Sequence, residues 1–117
     1  TDRERGVIAV APESCGDVVL ARKDVATSYH LAVTWDDALQ GVTLVTRGVD
    51  LLHATHIHRV LQALLDLPEP EYHHHTLLTD DAGRRFAKRD RDETIQAMRD
   101  NGSSAADVRS LAGYPSA

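Results

Sequence analysis

The segment Val42–Thr46, with the sequence V-T-L-V-T, carries the strongest strand signal in the chain. It is rich in β-branched residues and lies between Gly41 and Gly48, which favours a bounded strand. An apolar stripe at helical spacing follows, formed by Val60, Leu61, Leu64 and Leu65. A second strand candidate covers Tyr72–Leu78. Because strands that alternate with helices are typical of α/β proteins, the sequence predicts an α/β fold.

The residues before Gly41 predict two further strands and one helix. Val7–Ala11 and Asp17–Lys23 have the apolar or β-branched composition of strands. Apolar residues recur at helical spacing within Tyr29–Gln40, and Gly41 follows where a helix often ends. Asp50 or Thr55 is the predicted cap of the helix that carries the apolar stripe.

The C-terminal residues predict two short helices, Arg91–Asp100 and Ser104–Leu111. Ser104 is the expected N-cap of the second helix. Asp107 follows it by three residues, which is the register of a capping box.

Composition narrows the class of protein. A chain of 117 residues that is 42% hydrophobic and 26% charged is typical of one soluble globular domain or part of one. Its net charge of -5 argues against a protein that coats nucleic acid through charge alone. The single cysteine, Cys15, fits a reducing compartment, and no apolar run approaches the roughly 20 residues of a membrane span. We therefore expect a cytoplasmic protein without a membrane partner.

Seven histidines raise the question of a metal site: His30, His53, His56, His58, His73, His74 and His75. His53 and His56 lack the i, i+4 spacing and the intervening glutamate of a catalytic zinc helix. Three consecutive histidines on a strand would alternate between its faces. We interpret the histidines as surface or semi-buried residues and expect no metal ligands, with a histidine-rich metal-binding domain as an alternative.

The stretch Asp81–Asp90 places four cations directly after a glycine: Arg84, Arg85, Lys88 and Arg89. Such a loop has two interpretations, a solvated surface turn or a contact with phosphate, which needs several N–H donors at short range.

Arg47 and Tyr29 form a second candidate site. Arg47 ends the strongest strand, and ligands of open α/β sheets gather at the carboxyl ends of strands. An arginine there can bind a carboxylate through two parallel hydrogen bonds. Taken with a loop that binds phosphate, the two residues suggest a carboxylate substrate activated by a nucleotide.

Four blocks, in order, resemble the class I glutamyl-tRNA synthetases and most closely their short form, the glutamyl-Q tRNA(Asp) synthetases. The blocks are G-D-V-V-L-A-R-K-D at Gly16–Asp24, Y-H-L-A-V-T-W-D-D-A-L-Q-G-V-T at Tyr29–Thr43, R-G-V-D-L-L at Arg47–Leu52 and D-A-G-R-R-F-A-K-R at Asp81–Arg89. The resemblance implies the C-terminal part of a Rossmann-like catalytic domain at residues 1–90, followed by a helical tail at residues 91–117.

The resemblance also assigns roles to the candidate residues. The last block corresponds to the second class I signature, K-M-S-K-S, which embraces the phosphates of ATP. The implied ATP-binding residues are Arg85, Phe86, Ala87, Lys88 and Arg89, with Lys88 at the position of the second lysine and catalytic. Ala87 stands where the motif has a serine. Tyr29 and Arg47 are implied to bind glutamate, and Asp37–Gly41 to lie near the tRNA acceptor stem.

Two family features are missing from the sequence. The first class I signature, H-I-G-H, is absent, so the resemblance predicts a C-terminal fragment that is inactive alone. The cysteine-rich zinc motif of the short form is absent as well, so we expect ATP with Mg²⁺ but no zinc. The expected partners are glutamate, ATP and tRNA, with tRNA(Asp) favoured over tRNA(Glu), and a monomer at full length. A module that binds tRNA or a protein without catalysis, or a fragment of a glutamyl-tRNA(Glu) synthetase, stays open.

Overall fold

The structure, a computed structural model, describes residues 1–79, 82–83 and 94–114. The chain divides into two compact units, Thr1–Thr76 and Leu77–Ala117. The predicted boundary between residues 90 and 91 stays a prediction, because residues 84–93 lie outside the described part. No helix within the described ranges is long and apolar enough to cross a membrane.

The first unit is built around two parallel strands joined by a helix. Strand β1 covers Leu44–Gly48, helix α2 covers Ala54–Leu64, and strand β2 covers Glu71–His75. The strands pair in parallel with Arg47 opposite His74. Two parallel strands need a crossover connection, which α2 provides after a short 3-10 turn at Val49–Leu51. The predicted α/β class is confirmed.

Helix α1 covers Tyr29–Leu39 and confirms the predicted helix. Gly41 follows its end with a φ of +66°, a left-handed conformation that glycine adopts without a steric penalty. The Val42 amide then donates to the Asp37 carbonyl (2.9 Å), which closes the last turn of α1 and leads the chain into β1.

Two predicted strands do not form. Val7–Ala11 leads instead into a 3-10 turn at Pro12–Cys15, and Val7 is 88% exposed. Asp17–Lys23 has no regular secondary structure and lies in a loop, where the Leu20 carbonyl accepts a hydrogen bond from the Ser28 amide (2.8 Å). The two strand predictions rested on composition and were wrong. A strand also needs a neighbouring strand with free backbone groups.

The predicted cap of α2 is also wrong. His53 occupies the N-cap position, in a helical conformation and without a side-chain capping bond. Asp50 lies in the 3-10 turn, and the Thr55 hydroxyl lies 3.3 Å from the Leu51 carbonyl oxygen, inside the first turn of the helix. The chain is already helical at His53, after the 3-10 turn at Val49–Leu51, so α2 begins without a capping side chain.

The centre of the first unit is unusually polar. Leu61 and Tyr72 are its buried hydrophobic side chains among the described residues, whereas the buried polar or charged ones are Asp2, Thr34, His58, Gln62 and His74. Buried polar groups are stable only with hydrogen-bond partners, and the Gln62 amide accordingly donates to the Tyr72 hydroxyl (3.0 Å).

The described part of the second unit contains helix α3 at Ile95–Asp100 and helix α4 at Ala105–Leu111. Thr94 caps α3 by accepting a hydrogen bond from the Ala97 amide (3.1 Å). Ser104 and Asp107 form the predicted capping box at the start of α4. The predicted start of α3 at Arg91 lies outside the described residues.

Candidate anion-binding site around Arg47

Arg47 is the penultimate residue of β1, and its half-buried side chain faces α1 and α2. Each of its three nitrogens meets a side chain of the first unit. Nε donates to His74 Nε2 (3.1 Å), and Nη2 donates to the Thr55 hydroxyl (2.5 Å). Nη1 donates to His58 Nδ1 (3.2 Å) and lies 3.5 Å from the Tyr29 hydroxyl. The structure therefore brings together Tyr29 and Arg47, which the sequence predicts to share a site.

The face of the guanidinium is packed as well as its edge. Its Cζ lies 5.3 Å from the centroid of the Tyr72 ring, a distance at which a cation is attracted to the electron-rich face. Tyr72 stacks in turn on His74, with ring centroids 5.7 Å apart and planes 11° apart. Contacts at edge and face restrict Arg47 to one orientation.

The side chains that hydrogen-bond to Arg47 carry no negative charge. Among the described residues, no carboxylate forms an ion pair with it. The positive charge of Arg47 also acts on Asp37. Burial raises the pKa of the Asp37 carboxyl, and the charge of Arg47 opposes that rise. The cation is thus oriented without being neutralised, which suits an anionic ligand.

His58 is neutral at pH 7 for two physical reasons. Burial lowers the pKa of His58 to about 4, and the positive charge of Arg47 acts in the same direction. Because Arg47 can only donate, His58 Nδ1 accepts from it and His58 Nε2 carries the proton. That nitrogen lies 3.1 Å from His30 Nδ1, to which it donates.

Asp2 reaches His74 from the beginning of the chain. Its Oδ2 lies 2.6 Å from His74 Nδ1, and the two side chains are almost entirely buried. Burial alone would raise the pKa of Asp2, but hydrogen bonds from the His74 ring and from the amides of Glu4, His74 and Arg5 lower it to about 2. Burial also lowers the pKa of His74, against the effect of Asp2, so the pair consists of a carboxylate and a neutral imidazole.

The structure corrects the interpretation of two histidines. His58 is 2% exposed and His74 is 1% exposed, so they are core residues rather than surface or semi-buried ones. His74 points to the opposite face of β2 from its neighbours, as strand alternation predicts. Within the described part of the chain, no group of three or more candidate ligands is arranged to hold a metal.

The other candidate site, the basic loop, lies outside the described residues. This applies to its predicted ATP-binding residues Arg85, Phe86, Ala87, Lys88 and Arg89. Their roles stay predictions.

Comparisons with known proteins agree with the motifs. Residues 1–110 match the family described as tRNA synthetases class I (E and Q), catalytic domain. The chain belongs to this family. It is 56% identical over 113 residues to a glutamyl-Q tRNA(Asp) synthetase of Rhodobacter capsulatus, covering 93% of this chain and 41% of that protein. A glutamyl-Q tRNA(Asp) synthetase of Geobacter sulfurreducens is 46% identical over 89 residues, covering 76% of this chain and 28% of the relative.

A solved structure shares the fold. It is a glutamate tRNA ligase from Elizabethkingia meningosepticum in complex with its amino acid, 31% identical, with a TM-score of 0.60. The match covers 68% of this chain and 16% of that one. The resemblance read from the four sequence blocks is confirmed, and the chain spans less than half the length of these relatives.

Proposed function

We propose that the protein to which this chain belongs activates glutamate with ATP and transfers the glutamyl group to tRNA. The observation that carries this proposal is the uncompensated charge of Arg47, fixed beside the Tyr29 hydroxyl at the carboxyl end of β1. Family membership and the names of the relatives support the same reaction.

In the first step, an oxygen of the glutamate α-carboxylate attacks the α-phosphorus of ATP, and pyrophosphate leaves. The resulting glutamyl-adenylate then gives its glutamyl group to a hydroxyl of the acceptor tRNA, and AMP leaves. Because the α-carboxylate must stay free to attack, we assign the side-chain carboxylate of glutamate to Arg47, with Tyr29 donating its hydroxyl to the same group. Such contacts contribute by holding the reacting atoms in position.

The basic loop completes the proposal. Lys88, assisted by Arg85 and Arg89, stabilises the charge that develops on the ATP phosphates, with Mg²⁺ accompanying the nucleotide. In the full-length protein, Lys88→Ala is expected to slow ATP–pyrophosphate exchange while leaving glutamate affinity nearly unchanged. An unchanged exchange rate would remove Lys88 from this role.

We assign tRNA(Asp) as the acceptor, because several curated relatives are named for it. Charging of tRNA(Asp) that carries queuosine, compared with charging of tRNA(Glu), tests this choice in the full-length protein.

The central test is a titration of the chain with L-glutamate, followed by NMR. Arg47→Gln is expected to weaken binding by about tenfold or more, because it removes a charged hydrogen-bond donor pair. The matched control is Arg59→Gln, since Arg59 already has a carboxylate partner in Glu69 (2.6 Å). L-glutamine is the control ligand, having the same shape without the side-chain charge. Equal effects of the two variants, or equal affinity for glutamine, would overturn the assignment.

A second candidate is a module that binds tRNA or a protein without catalysis. The chain spans 41% of the length of the Rhodobacter capsulatus relative, so exchange activity has to be measured on the 117 residues and on the full-length protein separately. ATP–pyrophosphate exchange by the 117-residue chain separates the two cases, and we expect no exchange from the chain alone. Exchange by the full-length protein would favour the synthetase.

A further inference from the structure

The environment of His74 defines which ring nitrogen carries its proton. His74 Nδ1 lies 2.6 Å from Asp2 Oδ2, and an ionised carboxylate can only accept a hydrogen bond. Nδ1 therefore carries the proton, and Nε2 presents a lone pair.

That lone pair faces Arg47. Nε of Arg47 lies 3.1 Å from His74 Nε2, and the Thr55 hydroxyl lies at the same distance. An arginine N–H has no lone pair to offer, so the opposite tautomer of His74 would set two N–H groups against each other. Parallel pairing places Arg47 directly opposite His74, which fixes this contact through the backbone register.

The carboxylate of Asp2 is suited to hold this tautomer. Its Oδ1 accepts from the amides of Glu4 (2.9 Å) and Arg5 (3.0 Å), and its Oδ2 accepts from the amide and the ring of His74. Every contact is a donor, so an asparagine would meet at least one of them with its own N–H in either orientation. Only an ionised carboxylate satisfies all four donors.

We propose that Asp2 and His74 are a positioning pair that orients the guanidinium of Arg47 toward an anionic ligand. The inference rests on the proposed function for the identity of that ligand, glutamate. Neither residue touches the ligand; each acts through Arg47. The uncharged Nε2 of His74 holds Nε of Arg47 in place without neutralising the cation. The negative charge of Asp2 lies on the far side of the His74 ring.

The first test needs no ligand. NMR of the ¹⁵N-labelled chain at pH 7 reports which ring nitrogen of His74 is protonated. It also detects a scalar coupling across the N–H···N bond between Arg47 Nε and His74 Nε2. We expect protonation at Nδ1 together with this coupling. An imidazolium, or protonation at Nε2, would overturn the inference.

The second test compares two variants that both break the contact with Asp2. His74→Gln offers an oxygen near the position of Nε2, whereas His74→Leu offers no acceptor. We expect the glutamine variant to bind L-glutamate about tenfold more tightly than the leucine variant, the factor that one hydrogen bond to a charged group supplies. A merely structural role predicts equal affinities, and that result would overturn the inference.

The control for both variants is His73→Leu, which changes the neighbouring residue on the other face of β2.

The outcomes separate the two proposals. If the expected tautomer and coupling are found but Arg47→Gln leaves glutamate binding unchanged, the proposed function fails and the positioning of Arg47 stands. If Arg47→Gln abolishes binding and the two His74 variants bind equally, the proposed function stands and the positioning pair is wrong.

Discussion

The Arg47 site and the C-terminal helices satisfy their polar groups in opposite ways. Around Arg47, the partners come from distant parts of the chain, as in the pairing of Asp2 with His74. In α4, Ser104 and Asp107 satisfy each other within one turn at the exposed surface. The first arrangement exists only in the folded unit, whereas the second needs one helical turn. The two regions should therefore respond very differently to the loss of a single side chain.

The largest expected effect comes from His74→Ala. This change leaves the buried carboxylate of Asp2 without its ring partner, and a buried charge that loses its partner typically costs about 3–5 kcal/mol. Urea unfolding of the chain measures the loss in the free energy of unfolding. His73→Ala is the matched control, because His73 pairs with Glu4 on the exposed face and should cost less than about 1 kcal/mol. Similar losses would mean that the buried network does not stabilise the unit.

A smaller effect is expected from pH. Burial holds the pKa of His58 at about 4, below the roughly 6.5 of an unfolded histidine, so the unfolded chain binds more protons between these values. Stability contributed by neutral His58 is complete above pH 6.5 and falls as pH drops toward 4, by up to about 1.4 kcal/mol per pH unit.

His58→Gln isolates this contribution. Glutamine does not titrate, so the slope of unfolding free energy against pH should become shallower in this window. A residual slope of the same sign is expected from His74, whose pKa is also lowered. Asp2 affects this slope only below about pH 3.8, because its pKa is lowered to about 2 and its stabilising effect is complete above pH 3.8. An unchanged slope in His58→Gln would show that His58 is not buried in neutral form.

The smallest effect is expected from Ser104→Ala. Removing an N-cap hydroxyl typically costs about 1 kcal/mol, here confined to α4. Hydrogen exchange of the Ala112 amide, which donates to the Val108 carbonyl, should accelerate about fivefold. Ser103→Ala changes the adjacent serine outside the cap and is the control. A loss of protection in the first unit as well would contradict the local character of this cap.

The same contrast explains what the sequence predicts. The capping box of Ser104 and Asp107 follows from residues three apart, and the helices and paired strands follow from periodicity and glycine boundaries. Arg47 at a strand end and Tyr29 at a helix start were recognisable because each has a local signal. The pairing of His74 with Asp2 could not be predicted, because no residue near His74 indicates a partner 72 positions away.

The two predicted strands that do not form have a related explanation. Val7–Ala11 and Asp17–Lys23 have suitable composition, but local composition does not reveal whether another strand offers a free edge. The burial of His58 was missed for a similar reason. Its position in α2 was predictable, but its surroundings depend on α1 and β1, which contribute His30 and Arg47.

The separation between Asp2 and His74 has a consequence for synthesis on the ribosome. Translation at 5–20 residues per second needs roughly 4 to 14 seconds to advance the 72 positions from Asp2 to His74. Throughout that time the Asp2 carboxylate exists without its partner. β1, α2 and β2 are closer in sequence and have less loop entropy to overcome, so we expect them to associate first. The segment that carries Asp2 then closes over a strand made long after it.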